Sequence, residues 1–524
     1  MLRRNFLTAA ATLALPAIAR AQSASTIRYV PAADIASLDP VWTTASQTRD
    51  HAFLVYDTLY GLDDALTPQP QMVEGHVVEN NGRQWTLTLR PGLKFHDGAP
   101  VLARDAVASI RRWGKRDSFG QLLLAATDEL AAPDDRHLVF RLKRPFASLP
   151  YALGKLSSLC VIMPERLAQT DAFTQVTDPT GSGPFRIRLD ERVAGSRMVY
   201  EKFAAYVPRP DGTPSAAAGP KVAYFDRVEW IVMPDPATAS AALRQAEVDW
   251  LRWPLPDLLP QLRQSPDIAV KVIEPQGLIG IFRFNHLHPP FDNPAARRAI
   301  LPALAQADYM TAAQGEDRSS WRDGVGFFCP DTPMASPAGL EALTAPRDLA
   351  AAKRALAASG YHGERTVVMK PTDFPIYNAM ADVTGQLLHD IGFNVDLQAM
   401  DWATAMQRRA KPDPVDAGGW SVFHTGWGGV EQTNPVTNIW LRGNGAEAAA
   451  GWPTSPKLEQ LRDAWLAAPD VPAQARIAAD MQAQAFQDLP YVPTGQLFTP
   501  VAYRADLTGM LNGIPAFWNI RRGG

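Results

Sequence analysis

The chain has 524 residues and a formal net charge of −3, and 46% of its residues are hydrophobic. A single hydrophobic core stops growing at about 250–300 residues, so this length predicts two or more lobes. The near-neutral charge excludes the basic surface that nucleic-acid binding requires, and two cysteines are too few for a disulfide framework.

The first 21 residues have the pattern of an export signal rather than of a folded element. Arg3 and Arg4 precede an apolar run, residues 6–18, that is too short to span a bilayer comfortably. Ala19-Arg20-Ala21 fits a cleavage site, and the five residues from Arg3 also resemble the twin-arginine motif. We predict a signal peptide over residues 1–21 and a periplasmic location. Export by the general secretory (Sec) route and by the twin-arginine route are both open.

Short strands and turns alternate in the first part of the chain. Residues 27–30 predict a strand, and Trp42 and Thr43 lie in the loop that follows. Apolar and polar residues alternate over residues 85–89, which is typical of a strand with one buried face. A second strand is predicted at 93–95.

A helix is predicted next, through Val107, Ile110 and Trp113, because these apolar residues recur at helical spacing. Further elements continue the alternation. Strands are predicted at residues 138–142, 161–163, 225–232, 270–274, 393–397, 492–502 and 517–520, and helices at 237–246, 347–358, 376–390, 458–466 and 473–486. Such alternation predicts an α/β fold with a sheet in each lobe.

The chain contains none of the common catalytic motifs. The G-x-S-x-G, H-E-x-x-H, C-x-x-C and G-x-x-x-x-G-K-[ST] patterns are all absent. His286 and His288 flank one leucine in a proline-rich turn, which favours surface residues over metal ligands. We predict no catalytic residue, no metal site and no cofactor. Whether Cys160 and Cys329 form a disulfide is left as an open alternative.

Leu89-Arg90, Lys94 to Gly98 and Ala103 to Val107 together form one sequence block. Gly181 to Phe185 and the segment from Phe282 to Ile300 form two more. These blocks resemble, in register and in the expected order, those of the family 5 extracellular solute-binding proteins of ABC transporters, which bind dipeptides, oligopeptides and nickel.

This resemblance implies a large two-lobed periplasmic-binding-protein fold of the class II type, with a hinge between the lobes. The expected division assigns residues 22–60, 180–276 and 485–524 to a first lobe, 61–179 to an extra subdomain of that lobe, and 277–484 to a second lobe. The implied function is a receptor that encloses a small peptide or peptide-like solute and delivers it to an inner-membrane ABC permease. We expect a monomer.

The glycine-rich stretch from His424 to Asn434 is the strongest candidate for solute contact. It follows a predicted strand, and ligands of open α/β sheets gather at such strand ends. In peptide binders that the stretch resembles, an aspartate three residues after the tryptophan pairs with the peptide ammonium. Here Val430 stands third after Trp427, and Glu431 is the nearest acid.

An arginine that grips the carboxylate in dipeptide binders is also missing from the corresponding segment, where Lys370 is the nearest cation. A non-peptide solute such as an opine, haem or a metal chelate is therefore an open alternative, and an exported hydrolase is a second. The predicted solute contacts are Trp42, Thr43, His424, Trp427, Glu431 and Asn434.

Overall fold

The computed structural model describes residues 25–43, 45–372 and 374–523, so the predicted signal peptide lies outside the described residues. Among these residues, no helix combines the length and the apolar character that crossing a bilayer would need. Strands and helices alternate along the chain, which confirms the predicted α/β class.

A mixed sheet of seven strands forms the centre of what we call the first lobe. The first strand runs parallel to its two neighbours, and the remaining pairs are antiparallel. The strand order across the sheet is Phe185–Ile187, Arg197–Lys202, Arg227–Ile231, Thr26–Val30, Trp250–Leu251, Val501–Arg504 and Ile268–Lys271.

An antiparallel sheet of four strands forms an extra subdomain beside that sheet. Its strand order is Val73–Glu79, Gln84–Leu89, His137–Leu142 and Thr127–Ala131. Trp85, Leu87 and Leu89 are buried as their alternation predicts, and helix Ala103–Trp113 packs against the sheet.

The second strand predicted here, at residues 93–95, is wrong. The structure has only a single bridge between Lys94 and Pro100. The reason is that His96 turns toward another segment: its backbone N–H donates to Gly181 O at 2.9 Å, and its Nε2 lies 3.1 Å from Gly183 O. Two sequence blocks that resemble the family's pattern therefore contact each other.

A sheet of six strands forms the second lobe. Helices Gln306–Gln314 and Pro375–Ile391 pack against it. The strand order is Trp321–Arg322, Tyr491–Leu497, Leu278–Phe284, Val422–Gly428, Arg365–Pro371 and Asn394–Met400.

Three two-stranded pairs and fifteen α-helices complete the described part of the chain. The pairs are Asp57–Thr58 with Val161–Ile162, Tyr60–Leu62 with Pro68–Pro70, and Leu507–Thr508 with Arg521–Arg522. The helices are Ser46–Val55, Ala103–Trp113, Ser118–Ala126, Leu149–Gly154, Glu165–Ala168, Pro236–Arg244, Leu259–Arg263, Pro294–Arg298, Gln306–Gln314, Glu341–Thr344, Leu349–Ala358, Pro375–Ile391, Trp402–Arg409, Pro456–Ala467 and Val471–Asp488.

The chain crosses between the seven-stranded and six-stranded sheets at two neighbouring segments. One crossing, residues 272–277, joins Ile268–Lys271 to Leu278–Phe284, and the other, residues 498–500, joins Tyr491–Leu497 to Val501–Arg504. The predicted single strand over residues 492–502 is therefore two strands in different sheets. We call these two crossings the hinge.

Two further expectations near the C-terminus differ from the structure. Strand Tyr491–Leu497 falls in the range that the sequence analysis gave to the first lobe, but it pairs with Leu278–Phe284 in the second, because the chain crosses only after Leu497. Residues 517–520 form no strand. Packing in the core explains the apolar residue at position 517. The ring of Phe517 packs against Tyr29 and Trp250, with ring centroids 5.1 Å away in each case.

Candidate functional site

The glycine-rich segment forms the end of a central strand and lies directly on the hinge. Strand Val422–Gly428 continues into a 3-10 turn, Gly429–Gln432. The backbone N–H of Gly429 donates to Gly277 O at 2.8 Å, and a Cβ at Gly429 would collide with the carbonyl of Gln276. Only glycine allows this close approach, so the segment is held against the hinge.

Trp427 offers both an aromatic face and an unpaired donor. The side chain is half-buried and packs edge-on against Trp440, with ring centroids 6.1 Å apart. Its indole Nε1 is buried and has no acceptor among the described residues. A buried donor without a partner costs about 1–3 kcal/mol, so an acceptor on a bound solute would stabilise this arrangement.

Glu431 carries a half-buried carboxylate that has no hydrogen bond or ion pair among the described residues. The carboxylate lies against Gly428 in its own lobe. It is also close enough to the first lobe to act electrostatically on Arg49 and Tyr151. A negative charge without a partner therefore faces the junction between the lobes.

A compact ionic network in the first lobe lies next to that charge. Arg49 Nη2 is 2.8 Å from Glu274 Oε1 and 3.0 Å from Asp50 Oδ1, and Arg252 contacts both acids. Burial alone would raise the pKa of Glu274, but Arg252 and Arg49 hold it at about 2. Two cations and two anions balance within this network, so it leaves the charge of Glu431 uncompensated.

Thr433 joins the two lobes, and Asn434 shapes the loop. The hydroxyls of Tyr151 and Thr433 are 2.8 Å apart. Asn434 is buried, and its Oδ1 accepts hydrogen bonds from the backbone N–H groups of Val436 and Thr437 at 3.0 and 3.1 Å. Both bonds stabilise the local turn, and a solute contact by Asn434 stays a prediction.

His424 belongs to the core of the second lobe. It is 1% exposed and packs between Phe282 and Tyr309, with ring centroids at 5.3 and 6.0 Å. Burial lowers its pKa to about 3. Residues three apart on a strand point to opposite faces, so the side chain of His424 lies on the other side of the sheet from Trp427. The prediction of a solute contact treated this strand as a loop.

Trp42 and Thr43 lie at the surface beside the extra subdomain. The guanidinium of Arg116 stacks on Trp42 at 5.2 Å and on Phe173 at 5.0 Å, and Thr43 Oγ1 accepts from Ala45 N at 3.2 Å. The described residues show no ring contact or hydrogen bond between this pair and the glycine-rich segment, so the structure does not unite the two parts of the predicted site.

The two histidines considered as metal ligands contact protein groups, and the two cysteines considered for a disulfide are unpaired. His288 Nε2 lies 2.7 Å from Pro412 O, and His286 packs against Phe284 at 6.2 Å. The described residues contain no group of three histidines, cysteines or acids placed to hold a metal ion. Cys160 and Cys329 are both buried free thiols.

Sequence reasoning missed the contribution of the first lobe to this junction. Arg49, Tyr151 and Arg252 are far from the glycine-rich segment in sequence, and none lies in a recognisable motif. Only folding brings Arg49 and Tyr151 near Glu431, and Arg252 joins them through the acids that it shares with Arg49. The signal that could be read was the glycine-rich pattern itself, which marked one wall of the junction.

Two lobes that meet at a hinge, with half-buried charged groups beside it, define a protein of the periplasmic-binding-protein fold. The solved structure of the ABC transporter-associated periplasmic binding protein DppA from Helicobacter pylori, in complex with peptide STSA, has the same fold. It aligns with a TM-score of 0.74 at 20% identity over 95% of this chain and 98% of that chain.

Sequence comparison identifies the family. The profile of the bacterial extracellular solute-binding proteins, family 5 (middle region), matches residues 67–448. A probable peptide ABC transporter periplasmic-binding protein (y4tO) of Sinorhizobium fredii is 35% identical over 523 residues, 98% of each chain. The glutathione-binding protein GsiB of Pectobacterium atrosepticum is 25% identical over 440 residues, 81% of this chain and 79% of that protein. The chain belongs to the family 5 extracellular solute-binding proteins, so it is a binding protein and not an enzyme.

Proposed function

We propose that this protein is the periplasmic receptor of an ABC importer, which captures a small peptide or peptide-like solute and delivers it to an inner-membrane permease. The relative that is 35% identical over nearly its whole length is named for peptide transport, and a second relative is named for glutathione, itself a peptide. The signal peptide predicted over residues 1–21 supports export. We propose that the mature chain acts as a monomer.

The unpaired carboxylate of Glu431 is the observation that carries the proposal. Arg49 and Arg252 are neutralised by Asp50 and Glu274, so Glu431 adds one negative charge at the junction. The ammonium group of a peptide supplies the missing partner. Hydrogen bonds between charged groups are about twice as strong as neutral ones, and they are strongest where water is excluded.

We propose that Trp427 holds the solute next to this carboxylate. Its ring gives apolar area, and its free indole N–H can donate to a carbonyl oxygen of the solute backbone. Glu431 would thereby take the role that an aspartate at the position of Val430 has in the peptide binders that this segment resembles.

Closure of the lobes follows from the same contacts. Tyr151 and Arg49 approach Glu431 from the first lobe, and Trp427 is four residues from it in the second. A solute touches both sets only when the lobes are together, so its binding shifts the equilibrium toward the closed form.

The test is retention of peptides by the mature protein in native mass spectrometry. Degenerate tetrapeptide pools with free and with acetylated N-termini are offered separately. We expect the wild type to retain the free-amine pool, and Glu431→Gln to weaken retention roughly ten- to hundredfold. Glu447→Gln, which changes an exposed acid in the same lobe, should have no effect.

Two results would contradict the proposal. Equal retention of the free and acetylated pools would show that the peptide ammonium does not contribute to binding. Retention of no peptide, together with a small non-peptide mass on protein purified from its own host, would favour the opine, haem or metal-chelate alternative.

A further inference from the structure

One short helix of the extra subdomain makes two contacts with the second lobe. Helix Leu149–Gly154 follows Ser148, whose Oγ accepts a hydrogen bond from Gln474 Nε2 at 3.0 Å. Tyr151 lies in the first turn of the helix, and its hydroxyl is 2.8 Å from that of Thr433. Both partners, Gln474 and Thr433, belong to the second lobe, so one helix bridges the junction at two points.

Ser148 does not use its hydroxyl to cap the helix that it precedes. A serine at this position ordinarily accepts from a backbone N–H of the first turn, but within the described part of the chain it makes no such bond. Gln474 is 5% exposed, and its only other acceptor among the described residues is Trp465 O, at 3.5 Å. Without the serine hydroxyl, this buried donor is poorly paired when the lobes are together, whereas water satisfies it when they are apart.

Tyr151 is held so that its hydroxyl reaches the second lobe. The ring packs against Phe119, with ring centroids 5.8 Å apart. Burial raises the pKa of Tyr151 to about 12, so the phenol is neutral at physiological pH. Thr433 is 4% exposed, and its Oγ1 donates to Val430 O at 2.9 Å. Tyr151 is therefore the donor to Thr433, in a site from which water is largely excluded.

The helix is fixed to the first lobe. Its Leu149 and Leu153 are fully buried in the hydrophobic core. The subdomain is tied to the first lobe by the ion pair of Arg112 Nη2 with Asp39 Oδ2 at 2.6 Å, in which neither side chain is more than 1% exposed. The helix therefore moves with the first lobe, and separation of the lobes breaks both contacts.

A third side-chain contact joins the lobes outside the hinge, and it is exposed. Arg263 Nη1 lies 3.1 Å from Asp317 Oδ2, and both side chains are more than two-fifths exposed. Exposed ion pairs contribute little to stability. Among the described residues, the contacts of Ser148 and Tyr151 are thus the interlobe side-chain contacts outside the hinge that are shielded from water.

We propose that helix Leu149–Gly154 is a latch that stabilises the closed form, a role that rests on the proposed function but needs no contact with the solute. Ser148 and Tyr151 meet the second lobe only when the lobes are together. Their hydrogen bonds therefore shift the equilibrium toward the closed form and slow release of an enclosed solute. The extra subdomain thereby helps to set the lifetime of the complex.

The first test removes the two hydroxyls and keeps the helix. The probe is the peptide that the wild type retains most from the tetrapeptide pool with free N-termini, and its release after dilution is followed by native mass spectrometry. We expect Ser148→Ala combined with Tyr151→Phe to release it about tenfold faster than the wild type. Tyr224→Phe, which removes an exposed hydroxyl of the first lobe, should release it at the wild-type rate. Thermal melting confirms that each variant is folded.

The second test needs no solute. Ser148→Cys combined with Gln474→Cys places two thiols at the contact, and a short bismaleimide can bridge them. Cys160 and Cys329 are buried and stay unreacted. We expect the crosslink to form in the free protein and to lower its radius of gyration in small-angle X-ray scattering. Ser148→Cys alone, treated in the same way, should keep the radius of the untreated protein.

The outcomes separate the latch from the proposed function. Release from the double hydroxyl variant at the wild-type rate overturns the latch and leaves the receptor function standing. Failure of the crosslink to form, or an unchanged radius after it has formed, also overturns the latch. If the wild type retains no peptide, the proposed function fails, and a radius lowered by the crosslink still supports the latch.

Discussion

Trp427 and His424 stand three residues apart on one strand, and this spacing separates their roles. His424 packs inside the second lobe between two rings, whereas Trp427 keeps a free indole N–H on the opposite face. If the segment is taken as a glycine-rich loop, both residues are equally good candidates for solute contact. The strand geometry favours Trp427, because His424 points into the core.

The first prediction concerns Trp427→Ala. Loss of the ring removes apolar contact and one donor, so peptide affinity should fall by roughly ten- to hundredfold while the protein stays folded. Calorimetric titration with a retained peptide measures this change. Trp42→Ala, which removes an indole stacked on Arg116, should leave affinity unchanged. If the Trp427 variant binds as tightly as the wild type, Trp427 is not part of the site.

Burial of histidines predicts how stability depends on pH. The pKa of His424 is lowered to about 3 in the folded protein, and those of His51 and His96 to about 3 and 4, in each case chiefly by burial. An unfolded imidazole has a pKa of about 6.5. As pH falls below that value, the unfolded chain takes up protons that the folded chain does not, so the free energy of unfolding decreases.

We therefore expect His424→Phe to lose less stability on acidification than the wild type. The difference reaches up to about 2 kcal/mol between pH 6.5 and pH 5, at about 1.4 kcal/mol per pH unit for one proton. Urea denaturation at the two pH values measures it. His389→Phe, which changes an exposed histidine, is the control. An equal loss in His424→Phe and the wild type would contradict the buried neutral imidazole.

At the scale of elements, the sequence predicts regular strands and helices well where one face is buried. Alternation located the strand Gln84–Leu89, and helical spacing located Pro375–Ile391 to within two residues at each end. The pattern failed over residues 492–502, because an apolar run does not reveal that the chain leaves one sheet and enters another. It failed again at 517–520, where burial rather than strand pairing explains the apolar residues.

The candidate site was predictable only in part, for a related reason. The glycine-rich pattern marks Trp427 and Glu431, which are close in sequence. Arg49 and Tyr151 lie near Glu431 only because the chain folds, and local patterns carry no signal for such proximity.

The hinge element gives a third prediction. A Cβ at Gly429 would press on the carbonyl of Gln276, and neither backbone can move without shifting a crossing segment. We expect Gly429→Ala to lower the free energy of unfolding by about 1–3 kcal/mol, as overpacking usually does. Chemical denaturation measures this loss. Gly75→Ala, at a position where an added Cβ meets nothing within 4 Å, should have a far smaller effect. Equal stability of both variants would show that the contact is not tight.

At the scale of the whole molecule, the proposed capture requires two lobes that move together around a solute. Among the described residues, three side-chain contacts outside the hinge join them: Tyr151 to Thr433 at 2.8 Å, Gln474 Nε2 to Ser148 Oγ at 3.0 Å, and the exposed ion pair of Arg263 Nη1 with Asp317 Oδ2 at 3.1 Å. Three such contacts contribute only about 1–4 kcal/mol in total, which is too little to hold large lobes closed permanently. A solute that contacts both lobes can therefore control the equilibrium between open and closed forms.

Small-angle X-ray scattering of the mature protein, with and without a saturating peptide identified by mass spectrometry, tests this claim most directly. A folded chain of this length has a radius of gyration of about 23 Å when compact. We predict that the peptide lowers the measured radius of the wild type and leaves that of Glu431→Gln unchanged at the same concentration. Calorimetry first verifies that the complex has formed. If the scattering curves of the free protein and of this complex superimpose, capture between closing lobes is contradicted.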